Sequence, residues 1–388
     1  MMHLWLLSSL GLIAQPRAAQ VGGRVVLYAL VGGPPMLAVA PTPYLDLGNR
    51  GTDAETFSWI VAVRRQHSGT ILVATYDPIQ IRTFNPQGRA LGQFGRKGQG
   101  PGEYLDIKDL VVLPGDSLIV VDPMQRRITR LRPDGAVAGT IPFAPPFASS
   151  PFDVSLQALA DGTLLIGYTE VTATKPSSRP IAVMQHVGRY DQIGARRDSV
   201  GVFFAGEYFL QATPVHIGGG SAFWERAFGR RGALVADGRA IWFSDASAID
   251  LSKLDLHGHL LERHRLEVPS SPVTSAVVLT YRSDALAKAS GTDRAVEERR
   301  VAEMPFPAQL PAFRQLLVDA RGRLWLQQYL YPQPTPNRWW VLDPSDRRAR
   351  SVLLPDRFSP HVIGRDDILG VWQDSDDVEH VRGYRLTF

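Results

Sequence analysis

Apolar and polar positions alternate in short runs along most of this chain, and the period is that of strands rather than helices. The clearest unit spans residues 94–141, where a Gly-rich turn (Gly98, Gly100, Pro101, Gly102) leads into an apolar run from Ile107 to Leu113. A Pro-Gly-Asp turn separates that run from Ser117 to Val121, which Asp122-Pro123 closes. A third run, Arg127 to Leu131, is followed by Pro-Asp-Gly at 133–135 and by a fourth run ending near Ile141. Short β-branched runs divided by such turns predict a four-stranded antiparallel meander. One meander is marginal by itself and has to stack on others.

The first turn of the unit recurs at Ser68-Gly69, Pro114-Gly115, Asp161-Gly162, Asp237-Gly238, Arg321-Gly322 and Arg365-Asp366. Three of the five spacings lie in the ~40–50-residue period of propeller blades, and the two long ones call for insertions of about 30 to 40 residues. The second turn follows at Gln87-Gly88, Asp134-Gly135, Ile193-Gly194, His257-Gly258 and Asp343 to Asp346. Six copies are therefore expected, at roughly 58–96, 104–145, 153–204, 231–268, 312–355 and 360–388. The last copy has only three strands, so a strand from Met36 to Leu47 is expected to complete it, which pairs edge groups that would otherwise be exposed.

The two insertions differ in character. Residues 207–228 carry Phe209, Phe223 and Trp224 around a Gly218-Gly219-Gly220 turn and predict an added hairpin. Residues 270–304 are the helical text of the chain. Pro272 stands at the expected start, apolar residues recur at Ala276, Val277, Tyr281 and Ala285, and Gly291 separates a second charged helix running to Met304. This pair is expected over one mouth of the ring.

The GQGPGEY loop (Gly98 to Tyr104), the strands ending in Asp and the D-x-x-G second turns resemble the six-bladed β-propellers of the NHL and TolB-like group. The run from Met304 to Tyr329 and the ending from Asp367 to Leu386 are similar to a group of bacterial secreted propellers. The resemblance implies an all-β, six-bladed propeller with its ligand unassigned.

Composition agrees: Gly 35 and Pro 29 supply the turns that many short strands need. The absence of cysteine excludes disulfides, thiolate catalysis, iron–sulfur clusters and a lipoprotein anchor on an N-terminal Cys. The net charge of +4 is carried almost wholly by arginines scattered along the blades rather than in a stripe, so no nucleic-acid partner is expected. Residues 4–14 form an apolar run of signal-peptide length with small residues at Ala18-Ala19, so 1–20 is assigned as a signal peptide and the chain as periplasmic or secreted. That run is too short for a transmembrane span, and residues 25–40 are broken by Gly32-Gly33-Pro34-Pro35. The organisation is then 1–20 leader, 21–57 donor segment and 58–388 propeller.

Candidate chemistry is sparse. Asp77, Asp122, Asp245 and Asp374 each follow the second strand of a copy, where a carboxylate caps the next turn. GQGPGEY is not a phosphate loop, since no helix follows it, and Tyr104 is expected to wedge between blades. Asp374, Asp376, Asp377 and Glu379, beside His380, have enough oxygens for calcium. His257, His259 and His264 lack a fourth zinc ligand. Tyr329, Tyr331, Trp339 and Trp340 lie beside the helical insert; packing between blades is the reading preferred for this cluster, while Tyr331 and one of the two tryptophans, expected to face outward or toward the channel, would offer with Arg282 a platform for sugar or peptide. A binding role for a protein, peptide or carbohydrate ligand is the reading adopted; a calcium-dependent lyase- or lactonase-type enzyme is the alternative.

Overall fold

The computed structural model describes residues 23–30, 37–48, 56–142, 154–171, 179–213, 220–289, 292–332 and 336–387. The expected signal peptide, the Gly32 to Pro35 break and the Gly218-Gly219 turn lie outside the described residues. The chain is an all-β propeller of six blades, with one pair of helices among the described residues. Each blade is an antiparallel sheet whose strands, a to d, run outward from the axis. Blade 1 comprises Ile60–Arg65, Ile71–Tyr76, Ile79–Phe84 and Ala90–Phe94. Blade 2 comprises Asp109–Val112, Leu118–Asp122, Arg127–Leu131 and Val137–Pro142. Blade 3 comprises Val154–Ala158, Leu164–Glu170, Ile181–Tyr190 and Arg196–Thr213. Blade 4 comprises Ala233–Ala236, Ile241–Ser244, Ile249–Leu254 and Leu260–Leu266, and blade 5 Phe313–Val318, Leu324–Gln328, Arg338–Asp343 and Arg348–Leu353. Blade 6 comprises Phe358–Ile363, Asp367–Gln373 and Glu379–Thr387.

The a–b turn of blades 1 to 5 places its glycine (Gly69, Gly115, Gly162, Gly238, Gly322) at φ between 79° and 89°, a region that costs glycine little and other residues more. Strands a and b therefore reverse within a few residues, and the same turn recurs at the same point of each blade.

The outer edge of blade 6 is completed from the beginning of the chain. Leu45–Leu47 and Ala38–Val39 both pair antiparallel with Glu379–Thr387, in register Leu47↔Val381, Leu45↔Gly383 and Ala38↔Thr387. An additional strand, Arg24–Leu30, has no counterpart in the sequence reading. It pairs parallel with the outer strand of blade 4 (Arg24↔Glu262 to Tyr28↔Leu266) and then with that of blade 5 (Ala29↔Arg348, Leu30↔Ala349). Blades diverge from the axis, and this strand wedges Val26 and Tyr28 into the gap between two of them.

The hydrophobic core is divided. Among the described residues it forms six clusters, one at each junction between successive blades. Both faces of a blade are therefore covered, which is why Leu118–Asp122 is buried at every position and Ile71–Tyr76 at all but the last. Trp339 and Trp340 illustrate the consequence. Successive residues point to opposite faces, so Trp339 packs toward blade 6 and Trp340 toward blade 4. Both are buried, as the packing reading expects, because this part of the blade is covered on both faces; of the two, Trp340 alone keeps an edge that reaches a surface depression. Tyr104 is fully buried between blades 1 and 2, as the wedge reading requires.

The added segment after blade 3 is a hairpin, but its first arm is a continuation of that blade's fourth strand, with Gly220–Glu225 paired back on Tyr208 to Thr213. Helix α1, Ser275–Lys288, starts after Thr274, whose side chain accepts from Val277 N–H at 3.3 Å; Pro272 lies before it in a bridge with Gln309. Helix α2, Thr292–Glu303, follows.

The closing strand is expected to be indispensable. Leu47 has no exposed surface and packs among Phe57, Val63, Val371 and Val381 across the junction of blades 6 and 1. Leu47→Ala should lower the unfolding free energy by about 2–5 kcal/mol in chemical denaturation, as deletion of a buried leucine side chain does elsewhere. A loss under about 1 kcal/mol would show that the ring does not depend on this contact.

Candidate functional site

The b–c turns and the connections between blades open on one mouth of the ring, and the helical pair enters there from the connection between blades 4 and 5. Its base is a two-stranded stem: Val273 N–H donates to Ala308 O and Leu310 N–H to Ser271 O, at 2.9 and 2.8 Å. Helix α1 contains no buried residue, so it lies on the propeller rather than in it.

The helices meet the ring through aromatic rings gathered around Phe228. Its ring centroid lies 4.9 Å from Tyr331, 5.3 Å from Tyr281, 6.0 Å from Phe306 and 6.5 Å from Tyr329. Tyr331 Oη donates to Asp284 of α1 at 3.0 Å, and burial together with that carboxylate pushes the phenol up to about 12. Arg282, expected as a ligand contact, donates to Val301 O of α2 at 3.2 Å and lies over Phe306, so it ties the two helices together.

Several depressions adjoin here among the described residues, and three of them share Arg314, Gln328 or Tyr329. One of about 530 Å³ is lined by Phe228, Tyr281, Arg300, Arg314, Tyr329 and Tyr331 among others. A second, of about 850 Å³, lies between blades 5 and 6 and is lined by Arg314, Gln327, Gln328, Asn337, Arg338 and Arg357. A third, of about 540 Å³, shares Gln328 and Tyr329 and is walled by Trp340, Arg265 and Asp250. Arg314 thus stands between the first two and Gln328 between the last two.

Arg314 owes its position to an irregularity. The register of the inner strand of blade 5 shifts between Phe313 and Gln315, and a bulge re-aims the extra residue. Its guanidinium lies 4.3 Å from the Tyr329 ring centroid and donates to Leu330 O at 3.2 Å, and it forms no ion pair among the described residues. Gln328 Oε1 is buried with no hydrogen-bond partner among the described residues.

The rim carries further non-glycine residues in the left-handed region: Trp59 (φ 56°), Arg357 (φ 60°) and Phe228 (φ 57°). Such conformations are costly for bulky residues and concentrate at binding and catalytic sites. Trp59 and Arg357 occupy the same place, each immediately before an inner strand. Trp59 is 68% exposed and lies 5.2 Å from the ring of Tyr76, itself 42% exposed. Sequence reasoning missed Trp59, Tyr76, Phe228 and Arg314, since alternation does not reveal a bulge or a left-handed residue.

Beneath the rim, Glu207 braces the loop that presents Phe228. It accepts from Arg226 at 2.7 Å and Arg230 at 2.9 Å, and Arg230 also pairs with Asp245 at 2.6 Å. Burial alone would raise the Glu207 carboxyl, but the two guanidinium groups outweigh it and hold it below the usual range.

The expected calcium ligands serve a turn. Asp374 accepts from Asp376 N–H and Val378 N–H at 2.9 Å each, Asp377 pairs with Arg357, and Glu379 accepts from Ile60 N–H at 2.5 Å. Among the described residues no group of three or more His, Asp or Glu side chains is arranged to hold a metal ion. Of the recurring aspartates, Asp122 accepts from Leu105 and Gln125 N–H, and Asp245 from Ser247, as turn caps. His264 is buried against Tyr28 Oη at 2.8 Å.

A depressed carboxyl adds stability that is complete above its unfolded value and is lost as pH falls through the folded one. The melting temperature should therefore fall as pH drops from about 5 toward 3, and Glu207→Gln should lower it at neutral pH while flattening that decline. An unchanged pH profile in the variant would remove Glu207 from this role.

A family model described as a 6-bladed beta-propeller matches residues 52–143. No curated protein matches the sequence. Among solved structures, a protein from Bacteroides fragilis named as a candidate exported protein is 12% identical, with TM-score 0.52, covering 93% of this chain and 99% of its own. A member of the duf4221 family from Bacteroides vulgatus is 8% identical, with TM-score 0.54, covering 90% and 98%. Virginiamycin B lyase from Staphylococcus aureus is 12% identical, with TM-score 0.43, covering 91% and 99%. The family model and the two Bacteroides structures concern the fold: the chain is an all-β propeller, and its activity is not assigned by them.

Proposed function

We propose that this chain is an extracytoplasmic ligand-binding propeller that holds an acidic saccharide at the mouth covered by the helical pair. The observation that carries the reading is Arg314. A guanidinium stacked on Tyr329, lacking an ion pair among the described residues and standing between two depressions, offers its remaining N–H donors to an incoming carboxylate. Tyr329 and Tyr331, both expected from the sequence, supply flat apolar surface beside it, and Gln327, Gln328 and Asn337 supply amides. Aromatic faces with a few convergent polar groups suit sugar rings. Trp339 has no exposed surface to contribute, and Trp340 only the part that walls the third depression. The apolar run at residues 4–14 supports export, and the similar Bacteroides fragilis protein is itself named for export. No described helix is long and apolar enough to cross a membrane.

Titration calorimetry with a uronic-acid oligomer, against a neutral oligomer of the same length, tests the reading. Binding of the acidic oligomer should weaken about 10- to 100-fold in Arg314→Ala, the range of a charge-assisted hydrogen bond, with the melting temperature unchanged because the side chain is exposed. Equal affinity for the two oligomers, or no effect of Arg314→Ala, would overturn it.

A further inference from the structure

The inner strand of each propeller blade has one edge without a strand partner, so its backbone groups need other partners or water. Between blades 6 and 1 that need is met by a histidine. Val63 N–H, on the inner strand of blade 1, donates to Nδ1 of His361 at 3.2 Å. A backbone N–H can only donate, so Nδ1 is the unprotonated nitrogen, and in the neutral imidazole the proton is on Nε2. His361 stands at a register shift between Pro360 and Val362, the bulge that turns it toward the neighbouring inner strand. It is half-buried, and its Nε2 takes no partner among the described residues.

Arg64 follows Val63 on the same strand. It donates to Val63 O at 2.9 Å and to Asp109 Oδ1, on the inner strand of blade 2, at 2.8 Å. Among the described residues two of its five N–H groups are thereby used and three take no partner. Asp109 Oδ1 also accepts from Leu110 N–H at 2.7 Å, which holds it to its own strand. Although these residues belong to the innermost strands, the side chains of Arg64 and Asp109 keep 27% and 24% of their exposure, so water reaches them. Partial burial, with the Arg64 charge close by, pushes His361 down to about 3 and so favours the neutral ring.

We infer that the central channel holds a second binding site, for one small carboxylate group, formed by the Nε2–H of His361 and the free N–H groups of Arg64, with Asp109 as the resident competitor for the guanidinium. This site is separate from the mouth: Arg314 belongs to the neighbouring blade 5, and the channel residues share no side chain with its depressions. A neutral histidine and an arginine together give directed donors with a single positive charge. Asp109 offsets that charge while no other anion is present, so an arriving carboxylate has to share Arg64 with it.

The test is a titration of the whole chain, labelled with ¹⁵N-histidine, with acetate against a parallel chloride titration. The His361 spectrum should report the Nε2–H tautomer, and its Nε2 signal should move saturably with acetate and not with chloride. Arg64→Lys, which keeps the charge facing Asp109 but loses the fork, should weaken acetate about tenfold. Asp109→Asn should tighten it, an effect that a purely structural ion pair would not produce. A protonated Nδ1, a signal that moves alike with both anions, or acetate binding that is unchanged or weaker in Asp109→Asn would each overturn the inference.

Discussion

Everything in this molecule depends on packing between blades. A four-stranded sheet of this size buries too little by itself to be stable, and here the apolar surface is divided among junctions rather than collected in one centre. Each sheet is held by the two beside it, and the first and sixth are held only because the ring closes. Closure is covalently awkward, since the chain's two ends have to meet. The structure solves this by giving blade 6 its outermost strand from Leu45–Leu47 and Ala38–Val39, so that the termini are hydrogen-bonded into the same sheet. The strand Arg24–Leu30 adds a second tie, between blades 4 and 5, where the helical insert departs.

A closed ring of this kind is a rigid frame, and its mouth is where variation is tolerated. The mouth residues occupy backbone conformations that the frame alone keeps in place: Trp59, Arg357 and Phe228 in the left-handed region, Arg314 on a bulge. The same device appears in the channel, where a bulge turns His361 to meet the backbone of the next blade. Irregularity at the ends and edges of regular strands is thus the means by which an apolar scaffold presents polar groups to solvent. Glu207, with its two arginines, does the corresponding work for the loop under Phe228.

The fold was legible because its signals are local and repeated. A glycine needing positive φ at the first turn, an aspartate capping the second hairpin and a run of β-branched residues between them report the strand order without reference to distant contacts. Tyr104 as a wedge and Asp122, Asp245 and Asp374 as caps followed from the same logic. The site was less legible. Tyr329 and Tyr331 were visible as aromatic residues beside an insert, and both line the mouth. Trp339 and Trp340 looked the same in sequence, yet only Trp340 reaches a depression, because alternation says that neighbours point to opposite faces but not how far each face is covered. Arg282 looked like a ligand contact and instead joins two helices.

What the amino-acid order determined by itself was the module and its repetition, since turn geometry and strand period are properties of a few consecutive residues. What the tertiary structure decided was every pairing that crosses the ring. The seat of Arg24–Leu30 between two blades, the meeting of Val63 with His361 across 298 positions and the approach of Arg64 to Asp109 across 45 are examples. Such contacts depend on how many modules close the circle and at what angle they diverge, and no short stretch of chain carries that information.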